Sequence, residues 1–73
     1  MRNTINKQQL IAELINNGFE RDRRFWHNGW IVFNKVTDGH ISEIWEINED
    51  ENIAWHYEHA HPSFFEPVEY KLT

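Results

Sequence analysis

Hydrophobic and polar positions alternate around three turn signals, Asn28-Gly29, Asp38-Gly39 and a five-residue loop through Asp50 running from Asn48 to Asn52. Asn-Gly and Asp-Gly favour tight hairpins because a type I′ turn needs positive φ at both central positions. Two-residue turns at the first two sites pair His27 with Trp30 and Thr37 with His40, and the third loop pairs Ile47 with Ile53. This register predicts one face carrying the rows Phe25–Val32–Trp45–Trp55 and His27–Trp30–Ile47–Ile53. Because side chains alternate along a strand, that apolar face is the expected core.

A different period precedes the strands. Leu10, Ile11, Leu14 and Ile15 recur with helical spacing, which predicts a helix over about residues 7–17. Asn6 is placed to cap it, Gln9 to complete a capping box, and Ile5 and Leu10 to form a hydrophobic staple. Gly18 followed by Phe19 has the composition of a left-handed C-cap with its apolar clasp. Beyond Pro62, the alternation Val68, Tyr70, Leu72 predicts a short edge strand, with Phe64 and Phe65 anchoring the turn into it. The expected fold is α+β: one N-terminal helix packed on a four- or five-stranded antiparallel meander, all in a single domain over residues 1–73.

The same register leaves Arg24–Phe33–Ile44–His56 and Trp26–Ile31–Glu46–Ala54 on the opposite face. If one helix covers one side only, Trp26, Ile31, Phe33 and Ile44 form an apolar patch at the solvent, rimmed by Arg24, Lys35, Glu46 and Glu58. Such a patch on a small protein marks contact, and an aromatic centre with a charged rim is how protein interfaces are built. A competing expectation is that the C-terminal segment folds over this side through Phe64 and Phe65; a homodimer burying the patch is another. A polar row, Arg23–Asn34–Glu43–Tyr57, falls on the core face, where it either lies wet beyond the helix end or forms a shallow polar site.

Charge sharpens the reading. The net charge is −5, but up to Lys35 six basic residues face three acidic ones, whereas from Val36 onward Lys71 alone stands against nine acids. The halves are therefore +3 and −8, a separation that can orient a charged partner during encounter, the competing expectation being that these charges simply solvate strand faces and turns. Glu43, Glu46, Asp50 and Glu58 are the acids expected to steer the patch toward a basic protein surface. With no cysteine, four tryptophans, five phenylalanines and two tyrosines supply the buried area. The N-terminal ten residues carry no apolar run and no segment approaches the ~20 apolar residues of a membrane span, so a cytoplasmic setting is expected.

Chemistry-bearing patterns are sparse. His59 and His61 share a strand face with His40 nearby, yet no thiolate accompanies them, so no metal is expected. Glu43 and Glu46 fall on opposite faces, the three glycines are used as a helix stop and in turns, and no enzyme or cofactor is expected. Arg21, Arg23 and Arg24 beside Trp26 and Phe33 suggest the alternative of an RNA-binding surface.

The run Lys7 to Phe33, a helix ending in Asn17-Gly18-Phe19 followed by arginines, a histidine and a strand, resembles the opening of HicA-type mRNA interferase toxins. That resemblance implies a double-stranded-RNA-binding-like αβββα fold and RNA cleavage by a histidine in a glycine-serine-histidine turn. Here the corresponding stretch reads Trp26-His27-Asn28-Gly29, making His27 the matching residue. The leading expectation is a non-catalytic protein-binding module with the size and charge of the small inhibitors and host-modulating proteins of phages and mobile elements. An RNA-binding or RNA-cleaving domain using Arg21, Arg23, Arg24 and His27 is the alternative.

Overall fold

The computed structural model describes residues 4–23, 29–58 and 67–73. Its elements are β1 (Thr4–Ile5), α1 (Lys7–Asn16), β2 (Glu20–Arg21), β3 (Trp30–Thr37), β4 (His40–Asn48), β5 (Ile53–Tyr57) and β6 (Val68–Leu72). The strands form one sheet in the order β1-β6-β5-β4-β3-β2. β1 runs parallel to β6, while the other neighbours are antiparallel. The architecture is therefore α+β with a six-stranded mixed sheet, where a four- or five-stranded antiparallel meander was expected. The extra strands are two residues each. Stretches so short show no alternation, and tertiary pairing alone makes them strands. Thr73 N–H donates to Ile5 O at 2.9 Å and Lys7 N–H to Thr73 O at 3.2 Å, stitching β1 alongside the end of β6.

The helix ends follow their local chemistry. Asn6 accepts the Gln9 N–H at 3.0 Å. At the other end Phe19 N–H donates to Leu14 O, Gly18 N–H donates to Ile15 O, and Gly18 has φ +86°. These two bonds make a Schellman motif, which needs a left-handed residue where Gly18 stands. Leu10, Leu14 and Phe19 join Phe33, Trp45, Ile47, Ala54 and Leu72 in one core cluster, with Ile5, Ile11, Ile31 and Tyr70 packed against it. Ile15, expected in the apolar stripe, is 60% exposed.

The sheet register departs from expectation on both sides of β4. The Asp38-Gly39 turn forms as read, with φ of 53° and 79° and Thr37 opposite His40. The pairing then shifts: Val36 opposes Ile41, but Lys35 opposes Glu43, so Ser42 is an extra residue in β4. That is a β-bulge, and it moves every later pair by one, placing Phe33 opposite Trp45 and Ile31 opposite Ile47. Past β4, Asn48 closes the ladder by pairing with Ile53. Its side-chain oxygen accepts from the backbone of Asp50 and Glu51, and Asn52 turns left-handed at φ 56°. Ile47 therefore opposes Ala54 instead of Ile53.

Each shift is one residue, and a one-residue slip exchanges the faces of a strand. Trp45 and Ile47 point into the core as expected, but β3 and β5 present the opposite set. The core face reads Phe33–Trp45–His56 and Ile31–Ile47–Ala54–Tyr70. The far face reads Val32–Glu46–Trp55–Glu69, Trp30–Asn48–Ile53–Lys71 and Asn34–Ile44–Tyr57. On the other edge of β3, Phe33 is paired by Arg21 rather than Arg24, because Glu20–Arg21 forms the strand. The expected strand residues Arg24 to His27, the first half of the Asn28-Gly29 turn, and the Phe64–Phe65 anchor lie outside the described residues. β6 lies one strand in from the edge, covered at Lys71 and Leu72 by β1.

Candidate functional site

The far face of the sheet carries Trp30, Trp55 and Tyr57, three partly exposed aromatic side chains. Trp30, on β3, reaches across β4 to Trp55, on β5, with ring centroids 4.8 Å apart and planes inclined at 43°. Both rings are half-buried, as are Ile44, Ile53 and Tyr57 on the same face. The bulge brings Ile41 to this side too, since it opposes Val36, two residues along from Asn34. Carboxylates alternate with the rings: the Trp55 indole Nε1–H donates to Glu69 Oε1 at 2.9 Å, and the Tyr57 hydroxyl bonds to Glu46. Burial, with the neighbouring Glu46 carboxylate adding to it, pushes the Tyr57 phenol up to about 12.

A concavity of about 300 Å³ opens beside this face, lined by Glu20, Arg21, Asp22, Arg23, Asn34, Val36 and Ile41. At its base the Asn34 amide donates to Asp22 Oδ2 at 2.5 Å, both residues being buried. This pairing satisfies polar groups that would otherwise cost roughly 1–3 kcal/mol each to bury. The expected polar row is thus divided: Arg23 and Asn34 meet here, Tyr57 stands further along the far face, and Glu43 is on the helix side.

On that helix side, Glu43 Oε2 lies 2.6 Å from His56 Nε2, and the His56 ring stacks on Trp45 with centroids 4.1 Å apart and planes within 10°. His56 Nδ1 is buried without a hydrogen-bond partner. A carboxylate orienting an imidazole is the arrangement of a general base, and here the nitrogen left to act as one is the buried Nδ1. The pair acts as a polar seam at the end of the core, next to Lys35, whose ammonium lies 5.7 Å from the centre of the Phe19 ring.

The expected patch residues are scattered. Phe33 is 5% exposed and belongs to the core, and Ile31 is half-buried against that core, so both lie on the helix side of the sheet rather than on the far face. Glu43 is turned to His56. Ile44 and Glu46 remain on the far face, Asp50 is exposed in the β4–β5 turn, and Glu58 is exposed just after β5. Trp26, Arg24 and His27 lie outside the described residues, as do His59 and His61. Among the described residues no three His, Asp or Glu side chains gather where they could hold a metal ion, no second helix follows α1, and no helix is long and apolar enough to cross a membrane.

Trp30 and Trp55 were missed because the expected register buried both. A usable signal was present: Ile41 and Ile44 are three apart, a spacing that puts them on one side of a strand only if a residue between them is bulged. No protein-family model, curated protein or solved structure matches this chain, so the functional reading rests on the geometry of the far face.

Proposed function

We propose that the domain is a non-catalytic protein-binding module that docks through the far face of its sheet, with Trp30 and Trp55 at the centre and Ile44, Ile53 and Tyr57 around them. The observation that carries this reading is the Trp30–Trp55 contact, two large aromatic rings held together and only partly buried. Tryptophan supplies more binding energy per residue than most side chains at interfaces, and aromatics grouped away from the core favour a partner. The acids beside them, Glu46 and Glu69, and the excess of acid after Val36 favour a basic surface on that partner. The size and charge suit an inhibitor or host-modulating protein of the phage type, acting in the cytoplasm.

The test is affinity capture from nuclease-treated lysate with the tagged chain and with a Trp30→Ala, Trp55→Ala variant whose fold is verified by circular dichroism. A protein retained by the native chain and lost with the variant is the expected result. Equal retention by both sinks the docking face. Recovery of RNA alone, when nuclease is omitted, replaces the protein-binding reading with the nucleic-acid one.

A further inference from the structure

We propose that the far face recognises an arginine side chain of its partner, with the guanidinium laid on the Trp55 indole between the carboxylates of Glu46 and Glu69. This inference rests on the reading of that face as a docking surface. Glu46, Trp55 and Glu69 are direct cross-strand partners on β4, β5 and β6, so an indole is bracketed by a carboxylate on either side. Neighbouring strands are roughly 4.8 Å apart, which puts the two acidic positions about 10 Å from each other with the ring between them. A guanidinium is planar, stacks on aromatic faces and carries donors around its edge that match carboxylates.

Both carboxylates are held in place by aromatic donors, Glu69 by the Trp55 indole N–H and Glu46 by the Tyr57 hydroxyl. Trp30 in turn fixes the Trp55 ring from across β4. Side chains already ordered before binding lose less freedom when a ligand arrives, so this arrangement favours tight recognition over loose charge attraction. A lysine ammonium is compact and strongly hydrated, and it stacks less well on an indole, so arginine is the better fit. Lys71 shares this face two residues from Glu69 and competes for its charge.

The experiment titrates the ¹⁵N-labelled chain with hexa-arginine and with hexa-lysine at one ionic strength, following the Trp55 indole N–H resonance. The expected result is a saturable shift of that resonance by hexa-arginine, with affinity about tenfold above that for hexa-lysine, and about a tenfold loss in a Glu46→Gln, Glu69→Gln variant. Both glutamines keep an amide oxygen for the aromatic donors, and amide shifts confined to the neighbours of positions 46 and 69 certify the fold. Equal affinity for the two peptides, or no loss in the variant, overturns the arginine proposal as simple charge attraction. Should a captured protein be lost with Trp30→Ala, Trp55→Ala but kept by the double glutamine variant, the docking face stands and the arginine proposal falls.

Discussion

Phe33 stands directly opposite Trp45, and Ser42 is the residue that puts it there. The extra position that Ser42 occupies in β4 lets the Asp38-Gly39 hairpin start in the regular register and finish one residue out of it. Its hydroxyl donates to Lys35 O at 3.2 Å and lies 3.0 Å from Thr37 Oγ1, fastening the bulge to the facing strand.

Two changes at Ser42 should therefore differ sharply. Ser42→Ala keeps the extra residue and loses the partly buried bond to Lys35 O together with the exposed one to Thr37 Oγ1, an expected cost of about 0.5–1.5 kcal/mol in urea denaturation. Deleting Ser42 removes the bulge, drives the β3–β4 pairing toward the regular register and turns Phe33 and Ile31 away from the core. The deletion should leave no cooperative unfolding transition. A stable deletion variant would show that the bulge does not set the register.

Phe33→Ala should cost about 3–5 kcal/mol of stability, the usual range for truncating a buried aromatic residue. Trp30→Ala removes a larger side chain but from a partly exposed position, and its cost should be clearly smaller. Denaturant midpoints of the two variants check this order. The reverse order would restore the register in which Trp30 is core and Phe33 is surface.

Gly29 combines a φ of +82° with a close approach, since a Cβ there would collide with the Asp50 carboxylate oxygen and lie 3.0 Å from Asp50 Cγ. Its carbonyl also accepts the Glu49 N–H at 2.8 Å, so the start of β3 is tied to the β4–β5 turn. Gly29→Ala should destabilise by roughly 1–2 kcal/mol through the left-handed backbone. Asp50 is exposed and can swing aside, so adding Asp50→Ala should recover only a small part of that loss. Full rescue would show that the collision, not the backbone, dominates.

Alkaline pH should weaken the fold through Tyr57. Its phenol is pushed up from the ordinary 10.0 to about 12 by burial and by Glu46, so the folded chain holds the proton more tightly than the unfolded one. The resulting stability is fully present below pH 10 and is lost as pH rises through 12. Denaturation midpoints measured across this window should fall less steeply for Tyr57→Phe than for the native chain. Phenolate absorbance followed in the folded protein should show one tyrosine titrating late. Parallel curves for the two proteins would remove Tyr57 from the alkaline transition.

What the amino-acid sequence determined by itself is local: the Asn6 cap, the left-handed Gly18, the helix over Lys7–Asn16 and the Asp38-Gly39 turn. Each depends on residues within a few positions of one another, where side-chain hydrogen bonding and allowed φ decide the outcome. The core direction of β4 was legible too, because Trp45 and Ile47 alternate on one strand. Which residues of β3 and β5 join them was decided by tertiary structure, through the Ser42 bulge and the Asn48 loop, each worth one position. Period-two alternation cannot resist a one-position change, because Trp30 and Ile31, Val32 and Phe33, or Ala54 and Trp55 offer an apolar side chain in either register. The candidate site followed that choice. Its acids Glu46 and Glu69 and its rings Trp30 and Trp55 come from four strands, and only their lateral order brings them onto one face.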